Sequence, residues 1–191
     1  MGREFELKYA ATEAAQEKIA AAFGSFETFS MGTTYYDTPT GALSAQHITL
    51  RRRLENGISV CTLKTPTGGI GRGEWEMECD AIETALPELC KLSGWELAPL
   101  LTDGVVEVCG AQFTRRAFAV ELGTCTLEIA LDKGILTGGG KELPLCEVEV
   151  ELKSGSEEAA VAFATVLAQK YDLTPEHNSK FRRASLLAKG E

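Results

Sequence analysis

The sequence predicts an α+β fold, a closed eight-stranded antiparallel β-barrel with helices packed outside. Three observations lead to this class. Strand-like segments follow one another with Gly-containing turns between them, charged and apolar side chains alternate within several of them, and segments with helical periodicity flank the run. Closure of the sheet would remove its exposed edges, leaving the apolar faces for the helices and the charged faces for the interior.

The first part of the chain combines one helix with a series of strands. A strand is predicted over 3–9 and an amphipathic helix over 11–23, with Thr12 as its N-cap. Further strands are predicted over 26–36, 47–54, 58–64 and 72–79. The Asn56-Gly57 pair lies between two of these strands and is typical of a tight hairpin turn.

The second part repeats this mixture. A helix is predicted over 84–93, before Gly94, and a stronger one over 156–171. The strands between these helices are predicted over 105–109, 112–121, 125–132 and 145–153. A last short helix is expected at about 178–188. The absence of a linker or a repeat favours a single domain over residues 1–191.

Composition limits the classes of function. The 191 residues are 44% hydrophobic, enough for a core, and 19 basic against 28 acidic side chains give a formal charge of −9. This balance argues against a nonspecific nucleic-acid binder. No apolar run approaches the roughly 20 residues that span a bilayer, and no leader-like segment opens the chain, so we expect a cytoplasmic protein without membrane contact, either a monomer or a homodimer.

Charged side chains recur on one face of several predicted strands. Glu4, Glu6 and Lys8 share a face of the first strand, because successive side chains alternate between the two faces. The same alternation returns as Arg51 and Arg53, as Arg72, Glu74 and Glu76, and as Glu147, Glu149 and Glu151. Ionised groups lose more by desolvation than they gain unless they are paired or hold ions. A polyanion together with metal ions would satisfy charges of both signs.

The chemistry of these side chains indicates which ions they bind. Glu-x-Glu pairs and Asp132 offer hard oxygen ligands, which favour Mg²⁺ or Mn²⁺ over zinc, and the two histidines, His47 and His177, are far apart. Guanidinium groups bind phosphate oxygens in pairs and lysine adds a point charge. A phosphate site is therefore predicted for the basic residues Arg51, Arg53, Lys64 and Arg72. The alternative is a solvated sheet face with cross-strand ion pairs.

Two glycine-rich segments do not match known phosphate-binding loops. Gly68, Gly69, Gly71 and Gly73 fit neither the P-loop nor the dinucleotide-binding spacing, and we interpret them as a flexible hairpin turn. The later Gly138-Gly139-Gly140-Lys141 segment is followed by Glu142, where a P-loop requires Ser or Thr.

An ordered set of motifs extends over essentially the whole chain: Glu4-x-Glu6-x-Lys8, Tyr35-Tyr36-Asp37-Thr38, Leu50-Arg51-x-Arg53, Thr62-Leu63-Lys64, Arg72-x-Glu74-x-Glu76, Arg115, Leu131-Asp132-Lys133-Gly134, Glu149-x-Glu151 and Ser179-Lys180-Phe181. With this set the chain resembles the CYTH superfamily, the triphosphate tunnel metalloenzymes. Glu147 extends the second acidic pattern, so the family pair could also begin there; alignment by the following Leu152, Ser154 and Gly155 favours the later pair.

The resemblance implies a tunnel of eight antiparallel strands that binds a triphosphate-containing small molecule and acts on it with Mg²⁺ or Mn²⁺. The implied catalytic residues are Glu4, Glu6, Lys8, Arg51 and Arg53. The implied substrate-binding residues are Lys8, Arg51, Arg53, Lys64, Arg72, Arg115 and Lys180. The implied metal ligands are Glu4, Glu6, Glu74, Glu76, Asp132, Glu149 and Glu151.

Within this superfamily the expected activity is that of an inorganic triphosphatase, which converts tripolyphosphate to pyrophosphate and phosphate. The first strand lacks the His-Phe-type segment that leads into the acidic motif of class IV adenylate cyclases. Cyclisation of ATP and hydrolysis of thiamine triphosphate are the alternative activities. The non-enzymatic alternatives are a polyphosphate-binding module and a scaffold domain.

Overall fold

The structure is a computed structural model that describes residues 2–67, 71–123 and 125–190. Within this part of the chain it contains one antiparallel sheet of ten strands: β1 (Gly2–Glu4), β2 (Glu6–Ala10), β3 (Glu27–Asp37), β4 (Thr49–Glu55), β5 (Ile58–Pro66), β6 (Arg72–Glu78), β7 (Val106–Leu122), β8 (Cys125–Gly138), β9 (Lys141–Gly155) and β10 (Thr174–Pro175). The helices are α1 (Glu13–Phe23), α2 (Ala42–Ala45), α3 (Ile82–Ser93), α4 (Glu157–Tyr171) and α5 (Lys180–Lys189). The predicted mixed α+β class with a large antiparallel sheet is confirmed.

The sheet has the order β1-β6-β5-β4-β3-β7-β8-β9-β2-β10, and it differs from the predicted eight-stranded closed barrel. The predicted N-terminal strand is divided at Phe5: β1 pairs with β6, whereas β2 pairs with β9. The short β10, paired with β2, adds one more strand. Among the described residues, the ladder of strand pairs therefore does not close. The chain passes from β1 to β2 at Phe5, whose carbonyl oxygen accepts from the amide of Leu152 in β9 at 2.9 Å.

Two groups of helices cover the apolar face of the sheet, as predicted. Helices α1 and α4 pack on β2, β8 and β9, where Val148 and Val150 belong to the same core as Ile19 of α1. Helix α3 packs on β5 and β6, where Leu63 and Trp75 belong to a second core. Because strand side chains alternate, this packing leaves the charged positions of these strands on the opposite face.

Helix α5 lies on the charged face of the sheet, so the prediction that the helices pack outside was wrong for this one. It contacts β7, β8 and β9, and its Phe181 packs with Met31, Tyr35 and Phe113. A glycine allows this close approach: a Cβ atom built at Gly138 would lie 2.4 Å from the carbonyl oxygen of Ala184. The helix consequently occupies part of the interior that the sequence predicted to be lined by the charged faces of the strands.

Several boundaries also differ from the prediction. The segments 105–109 and 112–121 form the single strand β7, because Gly110 packs against the neighbouring strand, where a Cβ atom would lie only 3.0 Å from the Thr33 carbonyl oxygen. The hairpin at Asn56-Gly57 is confirmed, with φ angles of 49° and 89°. Of the predicted glycine turn, Gly68 and Gly69 lie outside the described residues. None of the described helices has the length and apolar character needed to cross a membrane.

Candidate functional site

The charged face of the sheet surrounds a cavity of about 300 Å³. Thirteen of the fourteen predicted site residues line it: Glu4, Glu6, Lys8, Arg51, Arg53, Lys64, Arg72, Glu74, Glu76, Arg115, Glu149, Glu151 and Lys180. The fourteenth, Asp132, is 0% exposed and does not belong to the lining. The alternation within the strands and the family resemblance, which added Arg115 and Lys180, therefore identified residues that share one space, although their roles in binding and catalysis stay predictions.

A row of three carboxylates forms the acidic part of the cavity wall. In the register of β2, β9 and β8, Glu151 lies opposite Glu6 on one side and opposite Glu128 on the other. Like charges at directly opposed positions repel each other. Lys8 lies 2.8 Å from Glu6, and Lys153 lies 2.9 Å from Glu151 and 3.7 Å from Glu128, so an ammonium group stands at each end of the row.

Burial adds to the electrostatic cost of this row. It raises the pKa of Glu151, and Lys153 only partly offsets that effect. Sequence reasoning did not identify Glu128 and Lys153, which both line the cavity. The sequence nevertheless contains a pattern that could have identified them. Lys153 continues the period-two alternation of Glu149 and Glu151, and Glu128 lies on the same strand face as Asp132.

The opposite wall is formed by β1, β4, β5 and β6 and contains paired charges of both signs. The ammonium group of Lys64 lies 2.5 Å from Glu4 and 3.0 Å from Glu74, and Arg51 lies 3.2 Å from Glu74. Arg72 is held differently, since its guanidinium group donates to the carbonyl oxygen of His47 at 2.6 Å. Its positive charge therefore has no carboxylate partner within salt-bridge distance in the described part of the chain.

Two buried guanidinium groups retain unused donors. The Nε atoms of Arg51 and Arg53 are buried and have no hydrogen-bond partner among the described residues. The ion pair of Arg53 is with Glu55 at 3.2 Å. Burial, followed by the positive charges of Arg51 and Arg115, lowers the pKa of Arg53. This part of the wall thus keeps buried N–H donors without partners among the described residues, which the oxygens of an anion would satisfy.

A buried ion-pair network lies where α5 meets the sheet. Both carboxylate oxygens of Asp132 bind Arg115, at 2.8 and 2.7 Å, and Lys180 approaches the same carboxylate at 2.7 Å. Glu149 accepts from Arg115 at 2.5 Å and from Lys180 at 2.8 Å. Glu147 contacts both Lys180 and Arg183. Sequence reasoning missed Arg183, which follows Lys180 by one helical turn and so shares its side of α5.

The network shifts the pKa values of its members strongly. Burial alone would raise the pKa of Glu149, but Lys180 and Arg115 hold it well below its ordinary value. Burial raises the pKa of Glu147. Burial opposes the charge on Lys180, yet Asp132, Glu149 and Glu147 raise its pKa above the ordinary range. Lys180 is therefore a permanent cation at the edge of the cavity.

Ligand atoms of Asp132, Glu147 and Glu149 lie within 4.8 Å of one another, a spacing that could hold a metal ion. In the structure the ammonium group of Lys180 contacts all three carboxylates. The three carboxylates can thus bind a cation, and in the structure that cation is the ammonium group of Lys180.

The chain is similar to known proteins in sequence and in fold. The sequence model of the CYTH domain matches residues 2–185. An inorganic triphosphatase of Haemophilus influenzae is 29% identical over 197 aligned positions, which cover 98% of this chain but 55% of that protein, so the chain spans about half the length of this relative.

Solved structures support the fold. A protein from Pyrococcus horikoshii OT3 superimposes with a TM-score of 0.68 at 25% identity, covering 98% of this chain and 99% of that one. A Hippeastrum protein, proposed as an adenylyl cyclase and described as having a dominant triphosphatase activity, gives a TM-score of 0.65 at 17% identity, covering 100% and 97% of the two chains.

Proposed function

The chain belongs to the CYTH domain family, and from this premise we propose that it hydrolyses inorganic triphosphate to pyrophosphate and phosphate in a metal-dependent reaction. One observation carries the proposal: buried guanidinium groups with unused donors and a row of carboxylates line the same cavity. A phosphate chain bound to the wall of β1, β4, β5 and β6, here called the basic wall, would satisfy the unused guanidinium donors. A divalent cation at the row of carboxylates would reduce the repulsion between them. The triphosphatase of Haemophilus influenzae supports this choice of substrate.

We propose that the basic residues bind the substrate through its phosphoryl oxygens. They are Lys8, Arg51, Arg53, Lys64, Arg72, Arg115 and Lys180, all of which line the cavity. Together they would neutralise the roughly four to five negative charges of tripolyphosphate, a count taken from the charge of phosphate groups near pH 7. Lys8, Arg51 and Arg53 are assigned to the reacting phosphoryl group, where preorganised donors stabilise charge that spreads over its oxygens in the transition state.

The acidic residues fit a hard divalent cation. Their donors are carboxylate oxygens, which suit Mg²⁺ or Mn²⁺, and the repulsion within the row of Glu6, Glu151 and Glu128 would be relieved by such an ion. The proposed ligands are Glu4, Glu6, Glu74, Glu76 and Glu151. We leave out Asp132, which is 0% exposed and has both oxygens paired with Arg115, and Glu149, whose two oxygens accept from Arg115 and Lys180. When bound, the metal would supply Lewis acidity to the phosphoryl group and to the attacking water.

The protein's own residues position the reaction. The basic wall fixes the phosphate chain along the cavity, so that the terminal phosphorus faces the acidic row and an attacking water can approach in line with the leaving pyrophosphate. We further propose that the strand divided at Phe5 joins β6 to β9 in solution and so completes an eight-stranded tunnel. A single domain over 1–191, a cytoplasmic location and a monomeric or homodimeric state stay predictions.

The proposal is tested by measuring phosphate release from tripolyphosphate, ATP and thiamine triphosphate side by side, together with cyclic AMP formation from ATP. We expect kcat/KM for tripolyphosphate to exceed that for ATP by at least about tenfold, which corresponds to roughly 1.4 kcal/mol of transition-state preference. Efficient cyclic AMP formation would favour a cyclase, and preferred cleavage of thiamine triphosphate would favour that substrate instead. Tight tripolyphosphate binding without turnover would identify a binding module.

A further inference from the structure

We propose that Glu147 and Arg183 form a positioning pair, which fixes α5 on the sheet and thereby holds the ammonium group of Lys180 at the cavity wall. In this view Glu147 does not bind the metal, although it belongs to the same acidic alternation as Glu149 and Glu151. The inference rests on the proposed function for its kinetic consequence. Its structural consequence, the docking of α5, does not depend on that function.

Both members of the pair lie away from the cavity. Glu147 is 0% exposed and does not line it, so it cannot reach a ligand there without a rearrangement of the sheet. Arg183 likewise does not belong to the lining. Its guanidinium group contacts Glu147 and lies 3.9 Å from Glu176. Arg183 therefore does not contact a ligand in the cavity, and we assign its influence on a bound anion to the placement of its helix.

Charge is balanced within the network that contains the pair. The three carboxylates that contact Lys180 are Asp132, Glu147 and Glu149, and they are matched by three cations, Arg115, Lys180 and Arg183; a fourth carboxylate, Glu176, lies 3.9 Å from Arg183 at the more exposed edge. A divalent ion inserted here would add charge to a balanced cluster and would have to displace Lys180. By contrast, the row of Glu6, Glu151 and Glu128 has an excess of negative charge with only two neighbouring ammonium groups. The metal is therefore better accommodated at that row.

Lys180 connects the pair to the cavity. It is the first residue of α5, and its ammonium group lies 2.7 Å from Asp132 and 2.8 Å from Glu149. Arg183 is one turn further along the helix and contacts the sheet through Glu147. Removal of either member of the pair breaks the contact between Arg183 and the sheet and takes one charge out of a buried ion-pair network, which favours movement of the helix away from the sheet. Lys180 would then lose its fixed place at the cavity wall.

The test uses Glu147→Gln, Arg183→Gln and the double variant, with the exposed neighbour Arg182→Gln as the matched control. In the first three proteins we expect KM for tripolyphosphate to rise about tenfold or more, the scale for loss of a group that orients a binding residue. The value of kcat should change by less than about twofold. Mn²⁺ affinity, measured without substrate by electron paramagnetic resonance, should equal that of the wild type.

Three further comparisons distinguish positioning from a general structural effect. Because Arg183 acts on Lys180 through its contact with Glu147, the double variant should resemble Glu147→Gln rather than multiply the two effects. Amide hydrogen exchange should become faster in α5 and stay unchanged in α1 and α4. Glu147→Asp, which keeps the charge, should recover most of the wild-type KM. If Glu147→Gln does not fold, Arg183→Gln carries the same test from the helix side.

Three results would overturn the inference: weakened Mn²⁺ binding in Glu147→Gln, unchanged exchange in α5, or multiplied effects in the double variant. Failure of the proposed function gives a different pattern, since the wild type itself would then not hydrolyse tripolyphosphate. In that case the exchange measurement and calorimetric binding of tripolyphosphate still decide whether the pair positions Lys180.

Discussion

Arg53→Met should weaken tripolyphosphate binding and at the same time stabilise the empty protein. The guanidinium group of Arg53 is buried, its Nε atom has no partner among the described residues, and its ion pair with Glu55 is 3.2 Å long. Burial, together with Arg51 and Arg115, lowers its pKa. A lowered pKa in a basic group means that the folded empty protein disfavours the charge, and an anion in the cavity would reverse this preference.

The expected loss of affinity follows from the hydrogen bonds that Arg53 would form with phosphate. A hydrogen bond to a charged group contributes about 1.5–3 kcal/mol, which corresponds to about 10- to 150-fold in Kd. Methionine retains most of the aliphatic stem, so lost packing contributes little. Isothermal titration calorimetry with tripolyphosphate measures the affinity, and thermal melts with and without the ligand measure stability. The Tm of the empty variant should rise, whereas its increase on adding ligand should shrink.

Arg52→Met is the matched control. Arg52 is the adjacent residue of β4, its side chain is on the opposite face of the sheet, and it donates to the carbonyl oxygen of Asp80 at 3.0 Å. This variant should bind tripolyphosphate as the wild type does. The reasoning is refuted if Arg53→Met keeps wild-type affinity, or if the two substitutions weaken binding equally.

Three other changes test the acidic residues. Glu6→Gln should abolish most of the activity or demand far more metal, because an amide oxygen binds a hard dication weakly; wild-type kinetics at low Mg²⁺ would contradict the assignment. Lys153→Met should tighten Mn²⁺ binding in a spectroscopic titration, since it frees Glu151 from an ion pair of 2.9 Å, and unchanged or weaker binding would argue against competition between lysine and metal. The low pKa of Glu149 contributes stability that is present above its ordinary value of 4.5 and is lost as the pH falls through the native value. Glu149→Gln should therefore lose less unfolding free energy than the wild type in denaturant titrations between about pH 5 and 2, and an equal loss would oppose this interpretation.

The sequence predicted the walls of the cavity better than its shape. Alternation with a period of two places side chains on one face of a strand, whichever strand is its neighbour, and this sufficed to bring Glu4, Glu149 and Arg53 to one space. It does not determine how far each strand continues. From sequence alone, Gly134 suggests a turn. In the structure it lies within β8 and permits the backbone of β7 to approach closely, since a Cβ atom at this position would lie 2.1 Å from the carbonyl oxygen of Gln112.

The position of α5 could not be predicted from local sequence. Its apolar residues indicate that one side is buried, but both faces of the sheet offer apolar contacts, Val148 on one and Phe113 on the other. The choice depends on long-range pairing of Lys180 with carboxylates of two strands. Asp37 belongs to one of the sequence motifs without a predicted role; its carboxylate accepts from the amide of Leu43 at 2.9 Å and so supports the start of α2.

The most direct test of the proposed site is a crystal structure with tripolyphosphate and Mn²⁺, in which anomalous scattering locates the metal. We expect the phosphate chain against Arg51 and Arg53 and the manganese peak beside Glu6 and Glu151. A peak among Asp132, Glu147 and Glu149, with Lys180 displaced, would contradict the assignment of metal and positioning roles. Phosphate bound outside the cavity would contradict the proposed active site itself.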